Sequence, residues 1–239
     1  MTGKIILVGA GCGDPELLTL KALRVLKTAD VLLYDSLVSA EVLAMANLGA
    51  EKISVGKKGH DGKSCRQSDI NSMMIGFACT GKTVVRLKGG DPLIFSRAAE
   101  EIEAAKEAGI ALEIVPGITT AQAVAATLGF PLTHRESARR LQFVTGHDHK
   151  GELPAGVDWQ AIADKNATTV VYMPKKTLSE LSRKVQEFGL PSTTPALAIM
   201  DATLSTQRVV TGTIATLPSL VEAANMEGAV LVIIGEVLL

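Results

Sequence analysis

Short apolar runs alternate along this chain with stretches in which apolar residues recur at helical spacing. The run Lys4 to Val8 ends at glycines and predicts a buried strand, and Leu17 to Leu26 carries a helical pattern. Strands are predicted at Asp30–Tyr34, Glu51–Val55, Thr83–Leu87 and Ala111–Val115. Between them, Ser39–Ala46, Ser68–Thr80 and Ala98–Ala108 read as helices, the second stopped by Gly81. Strand and helix in alternation predict a mostly parallel α/β sheet.

A boundary is expected near Pro116-Gly117, giving domains of residues 1–116 and 117–239. Beyond it a helix is predicted around Thr119–Thr127 and a strand at Leu141–Thr145. Residues 146–158 are rich in Gly, Asp and Pro and read as a loop. Further strands are predicted at Thr169–Met173, Ala196–Met200, Arg208–Thr213 and Ala229–Ile234. Thr203–Gly212 has the look of a hairpin, so the second sheet is expected to be mixed.

Composition narrows the function classes. Hydrophobic residues make up 47% and aromatics only 3%, so a platform for stacking nucleic-acid bases is disfavoured. The formal net charge of -1 provides no global field for an anionic partner, which must then be met by a local basic cluster. Cys12, Cys65 and Cys79 are too few and too far apart for a disulfide framework or a zinc site, and reduced thiols in the cytoplasm are expected. The opening MTGKIILVGAG reads as a first strand rather than a signal peptide, and no apolar run is long enough to span a bilayer.

Two loops carry the candidate chemistry. Val8-Gly9-Ala10-Gly11-Cys12-Gly13-Asp14-Pro15 follows a strand and opens a helix. A dinucleotide site is the first reading, since Asp35 lies at a suitable distance to hold a ribose. Asp14 opposes it, because it stands where the motif needs its third glycine and would bring a carboxylate to the pyrophosphate. A tight turn without a ligand explains the glycines equally well. Val85-Arg86-Leu87-Lys88-Gly89-Gly90-Asp91-Pro92 repeats the strand-to-Gly-Asp-Pro arrangement. Ligands in open α/β sheets bind outside the carboxyl ends of strands, so two such loops suggest one shared cleft. No P-loop pattern is present.

Two further segments are ambiguous. Thr119 and Thr120, after Pro116-Gly117, can cap a helix or bond a ligand. Thr133-His134-Arg135, Arg139-Arg140 and Thr145-Gly146-His147-Asp148 form a basic run of the kind that usually faces solvent, and its histidines lack metal-site spacing.

The segments VGAGCGDPELLTLKA, YDSLVS, VVRLKGGDPLIF, VPGITTAQ, PLTHR, TGH and VVYM occur in an order and spacing that resemble the tetrapyrrole methylase family. The likeness runs from Gly3 to Leu239. LKGGDP, THR and TGH together are nearer to members acting on the first, fully carboxylated macrocycle than to later precorrin methylases or diphthine synthase. The dehydrogenase-ferrochelatase module of fused sirohaem synthases is not expected here.

The resemblance implies a two-domain α/β fold, with a mostly parallel N-terminal sheet and a mixed C-terminal sheet. S-adenosylmethionine would lie in the cleft between the domains, and the chain would form a homodimer. It implies two successive methyl transfers to a small-molecule tetrapyrrole, with S-adenosylhomocysteine as by-product and no metal, nucleic acid or membrane. Cofactor contacts carry over to Cys12, Gly89, Gly90, Asp91, Ile94, Thr119, Thr120, Met173, Ala202 and Ala229. Substrate carboxylates would meet Arg97, His134 and Arg135, together with Lys57, Arg139 and His147. Asp35 would handle the proton or the positive charge left after carbon methylation. Positioning of an already nucleophilic carbon can supply roughly 7–11 kcal/mol of the barrier.

Two departures stand out. Cys12 replaces the family's usual proline, with an effect expected on packing only. Phe95-Ser96-Arg97-Ala98-Ala99-Glu100-Glu101 replaces F-G-R-G-G-E-E, which is expected to narrow or stiffen the substrate loop while keeping Arg97. The competing functions are a nicotinamide-dependent oxidoreductase, a non-catalytic tetrapyrrole- or cofactor-binding protein, and methylation at another tetrapyrrole position or of a different acceptor.

Overall fold

A computed structural model describes residues 2–56, 65–148 and 150–238. Its contacts divide the chain into two units, Met1–Thr120 and Ala121–Leu239. The division falls beyond the Pro116-Gly117 turn, because that turn is bonded to the first unit: Gly117 N–H donates to Asp91 Oδ2 at 3.0 Å.

The first unit alternates strictly. Its strands are β1 (Lys4–Gly9), β2 (Val31–Tyr34), β3 (Glu51–Ser54), β4 (Thr83–Lys88) and β5 (Ala111–Val115). Its helices are α1 (Leu20–Leu26), α2 (Ala40–Ala44), α3 (Gln67–Cys79) and α4 (Ala98–Glu107). The strands pair in the order β3-β2-β4-β1-β5, every pairing parallel. Apolar side chains cover both faces, which explains the near-continuous apolar runs. Ile6, Val8, Leu32, Val85 and Leu87 pack towards α1 and α2, while Ile5, Leu7, Leu33 and Val84 pack towards α3 and α4.

Local signals set the element ends. Thr19 caps α1 by accepting from Ala22 N–H at 3.1 Å, and Gly81 ends α3 at φ 87°. The helix predicted from Leu17 is divided. Pro15–Leu17 form a separate 310 turn capped by Asp14, and α1 starts at Leu20.

The second unit carries α5 (Thr120–Leu128), whose first residue is shared with the division, then β6 (Arg140–Thr145), α6 (Trp159–Ile162) and β7 (Ala167–Tyr172). Next come α7 (Leu178–Glu187), β8 (Pro195–Met200), β9 (Arg208–Thr213), α8 (Leu217–Ala223) and β10 (Val230–Ile234). The order is β6-β7-β10-β8-β9, with β6–β7 parallel and the other pairings antiparallel. The mixed sheet is therefore present. Its hairpin is larger than the predicted Thr203–Gly212: β8 and β9 form the two arms, and Met200 pairs with Arg208 across the turn. Among the described residues no helix is long and apolar enough to cross a membrane.

Candidate functional site

The strand order places a switch point in the first sheet. β1 and β4 are neighbours, yet the chain leaves β1 towards β2 and leaves β4 towards β5 on the opposite side. Diverging connections open a crevice at the carboxyl ends of such a pair. Both glycine loops lie there and are bonded to each other. Gly90 N–H donates to Gly11 C=O at 2.6 Å, and Ala10 N–H donates to Lys88 C=O at 2.8 Å. Gly11 and Gly90 take φ of 69° and 68°, values that favour glycine.

Neighbouring loops close on this pair. A Cβ on Gly89 would fall 2.7 Å from Leu37 Cβ, so the turn after β2 reaches the β4 loop. Ser39 caps α2 and also donates its hydroxyl to Gly13 C=O at 2.7 Å. On one side the backbone is open among the described residues, where a Cβ on Gly90 would meet only Thr120 Oγ1, at 4.0 Å. A ligand can therefore approach bare backbone beside a hydroxyl. Cys12 is partly buried in the β1 turn, Ile94 is half-buried after β4, and Thr119 is buried at the start of α5.

Asp91, expected among the cofactor contacts, has a backbone partner on each carboxylate oxygen. Oδ1 accepts from Leu93 N–H at 2.8 Å and Oδ2 from Gly117 N–H at 3.0 Å. Its carboxylate fastens the β4 loop to the end of β5.

Asp35 follows β2 on the α3/α4 face. Its Oδ1 accepts from Leu37 N–H at 3.1 Å, and its Oδ2 lies 3.9 Å from Arg86 Nη2. Behind it is a buried cluster that sequence reasoning left without a role. Arg86, Lys88 and Glu101 are 4%, 2% and 0% exposed. Glu101 Oε1 accepts from Arg86 Nε at 3.0 Å, and Oε2 from Lys88 Nζ at 2.7 Å. Burial lowers the Lys88 amine below its usual range, and Arg86 pushes in the same direction against the opposing pull of Glu101. The available signal was two charges in a central strand of an otherwise apolar sheet.

Arg97 stands at the start of α4 with φ 61°, exposed, and its fork is already occupied. Nε and Nη2 donate to the two carboxylate oxygens of Glu100 at 2.7 and 2.8 Å, which raises the guanidinium's pKa further. Ala98 and Ala99 lie in the first turn of α4, where alanine favours helix over the family's glycines by about 0.8–1 kcal/mol each.

In the second unit the basic run does not form one patch. Arg139 precedes β6 and His147 follows its end, so a strand of six residues, about 20 Å, separates them. His134 is engaged in its own turn. It exchanges backbone bonds with Ala138, and its Nδ1 faces Ser137 Oγ at 3.1 Å. Arg139 Nε donates to Arg135 C=O at 2.7 Å, and Arg135 itself is exposed. Arg140 pairs with Asp164 at 2.7 Å.

The remaining second-unit residues do gather. β6, β7 and β8 end at the same sheet edge from which β10 starts. His147 follows β6, and Met173 follows β7 with φ 58°. Ala202 lies just after β8 and Ala229 just before β10. The Asp201 and Gly228 turns touch, since a Cβ on Gly228 would meet Asp201 Oδ1 at 2.8 Å. Lys57 lies outside the described residues.

A doubly wound sheet with two linked glycine loops at its switch point defines an α/β protein built to present backbone to a small ligand. Residues 4–218 match the model of the Tetrapyrrole (Corrin/Porphyrin) Methylases, and the chain belongs to that family. It is 46% identical over 235 residues to a siroheme synthase of Thiobacillus denitrificans, covering 98% of this chain and 48% of the relative. A siroheme synthase of Nitrosococcus oceani is 47% identical, with 98% and 50% covered. The chain spans about half the length of the curated relatives it matches. Among solved structures, a uroporphyrin-III C-methyl transferase from Thermus thermophilus, complexed with S-adenyl homocysteine, superposes with a TM-score of 0.83. Identity to it is 37%, and 99% of each chain is covered. A cobalt precorrin-4 methyltransferase gives 0.87 at 27% identity, with 98% of this chain and 95% of that one covered.

Proposed function

We propose that this chain transfers methyl groups from S-adenosylmethionine to ring carbons of uroporphyrinogen III, at C2 and then C7, giving precorrin-2 for sirohaem or cobalamin synthesis. The observation that carries the reading is the Gly11–Gly90 pairing, which holds two loops together while leaving the outer side of Gly90 open beside Thr120. Bare backbone and a hydroxyl suit a zwitterionic nucleoside better than a pyrophosphate, which Asp14 would repel. The reading includes a cytoplasmic homodimer.

Bound S-adenosylmethionine supplies an electrophilic methyl group on a sulfonium. Proposed donor contacts in the first unit are Cys12, Gly89, Gly90, Ile94, Thr119 and Thr120, with Asp91 shaping the loop. In the second unit they are Met173, Ala202 and Ala229. Arg97, Arg135, Arg139, His134 and His147 are proposed to take carboxylates of the macrocycle, each buried carboxylate needing a donor. A new carbon–carbon bond leaves the ring cationic, and a ring proton must leave. Asp35, with Oδ1 tethered to Leu37 N–H, is proposed to accept that proton at Oδ2.

Anaerobic incubation with uroporphyrinogen III and methyl-labelled donor, followed by mass analysis, tests the reading. The expected product carries two labelled methyl groups. A folded protein that binds S-adenosylhomocysteine yet labels no tetrapyrrole would overturn the substrate assignment. One that oxidises a nicotinamide instead would restore the dinucleotide alternative.

A further inference from the structure

The buried cluster behind Asp35 is costly to build. Removing ions from water carries a penalty of several kcal/mol each, and apolar replacements of such clusters are often neutral or stabilising. Stability alone therefore explains Arg86, Lys88 and Glu101 poorly. Their geometry explains them better. Glu101 binds Arg86 Nε and Lys88 Nζ, and its Oε1 also accepts from Gln67 Nε2 at 3.2 Å. Arg86 Nη1 donates to Leu87 C=O at 3.0 Å and approaches Leu33 C=O at 3.4 Å. With Nε and Nη1 held from three sides, the guanidinium plane is fixed. Nη2 then lies 3.9 Å from Asp35 Oδ2.

Charge balance supports the same conclusion. Two cations face one carboxylate at Glu101, so the cluster carries one positive charge in excess, and Asp35 is the anion beside it. The 3.9 Å gap is too long for a hydrogen bond. Arg86 can therefore attract and orient Oδ2 without occupying the lone pair that would take a proton.

We infer that Arg86 is a positioning residue for the Asp35 carboxylate, and that Glu101 aims Arg86. The inference rests on the reading of Asp35 as the proton acceptor. Arg86 never touches the macrocycle. Its influence passes through Asp35, and so its removal should matter only while Asp35 is present.

A double-mutant cycle on the full chain tests this. Arg86→Met, Asp35→Asn and the double variant are compared for melting temperature, S-adenosylhomocysteine affinity, and kcat and KM of methyl transfer to uroporphyrinogen III. Arg86→Met should lower kcat by about tenfold or more with KM changed by less than about threefold. Arg86→Lys should recover part of that loss. In the Asp35→Asn background, adding Arg86→Met should change kcat by less than about twofold. Equal losses in both backgrounds would overturn the proposal and leave Asp35 as the acceptor. Wild-type turnover in Asp35→Asn alone would instead remove the acceptor reading, and the proposal with it. If Arg86→Met does not fold, Glu101→Gln replaces it. That variant keeps the side-chain shape, loosens the aim of Arg86, and should show the same dependence on Asp35.

Discussion

The backbones of Gly9 and Gly117 are in direct contact. A Cβ on Gly117 would lie 2.9 Å from the Gly9 Cα and 2.3 Å from the Gly90 carbonyl oxygen. The contact sets how closely the ends of β1, β4 and β5 converge, and so where the Gly90 backbone stands. Gly117→Ala is expected to lower stability by about 1–3 kcal/mol through overpacking. It should also weaken S-adenosylhomocysteine binding, because the β4 loop must shift. Chemical denaturation and ligand titration measure the two effects. Unchanged values for both would show that these strand ends can separate at no cost.

Much of this arrangement is legible in the chain itself, for a physical reason. A parallel sheet covered on both faces needs apolar strands such as Ile5-Ile6-Leu7-Val8, and its turns need glycine where φ is positive, as at Gly11 and Gly90. Pattern fails where tertiary partners decide. Arg86 and Lys88 look like a polar strand edge in one dimension, yet Glu101 from the next helix buries them. Arg139 and His147 lie close in the chain, yet the intervening strand β6 carries them to opposite sheet ends. Nothing local reveals that Gly117 supplies a second partner for Asp91, since the two are joined only by the fold.

Lys88 predicts a pH dependence of stability. Its amine is depressed in the folded state, first by burial and then by Arg86, from a usual value of 10.5. Between the depressed and the usual value the unfolded chain binds more protons, so stability rises with pH across that window. Lys88→Met removes this slope. It also removes a charged hydrogen bond to Glu101, worth about 1.5–3 kcal/mol, though Arg86 and Gln67 still hold that carboxylate. The variant should be less stable than wild type at neutral pH, and the gap should widen towards alkaline pH. Urea midpoints at about pH 7.5 and 9.5 test the sign. A gap that narrows would mean that Glu101 outweighs burial and holds the Lys88 amine above its usual value in the fold.

Arg97 and Glu100 compete with any incoming carboxylate. The two-pronged contact between them occupies the same fork that a substrate would use, but both side chains are largely exposed. Surface pairs of this kind contribute about 0–1 kcal/mol, so a substrate carboxylate can displace Glu100. Arg97→Ala should raise KM for the macrocycle by about ten- to a hundredfold with little change in kcat. Glu100→Gln should lower KM, since it removes the competing charge. Steady-state kinetics on both variants decide the matter. A higher KM in Glu100→Gln would show that Glu100 orients Arg97 instead of blocking it.

Asp91 separates scaffold from ligand contact. Both of its oxygens accept backbone N–H groups, from Leu93 and from Gly117, and only a carboxylate can accept on both sides at once. In Asp91→Asn one oxygen is retained and the amide NH2 faces a backbone donor. That leaves one N–H without a partner, at a cost of about 1–3 kcal/mol. The lost bond is most damaging on the Gly117 side, because it fastens the β4 loop to the end of β5 and the Gly9–Gly117 contact lies alongside it. Asp91→Asn should therefore lower the melting temperature in the absence of any ligand. S-adenosylhomocysteine affinity should fall as a consequence, since the Gly90 backbone moves with the loop. A residue that only touched the cofactor would behave differently, losing affinity while the ligand-free melting temperature stayed at the wild-type value. Thermal melts with and without S-adenosylhomocysteine distinguish the two. An unaltered ligand-free melt together with weakened binding would return Asp91 to the role of a direct cofactor ligand.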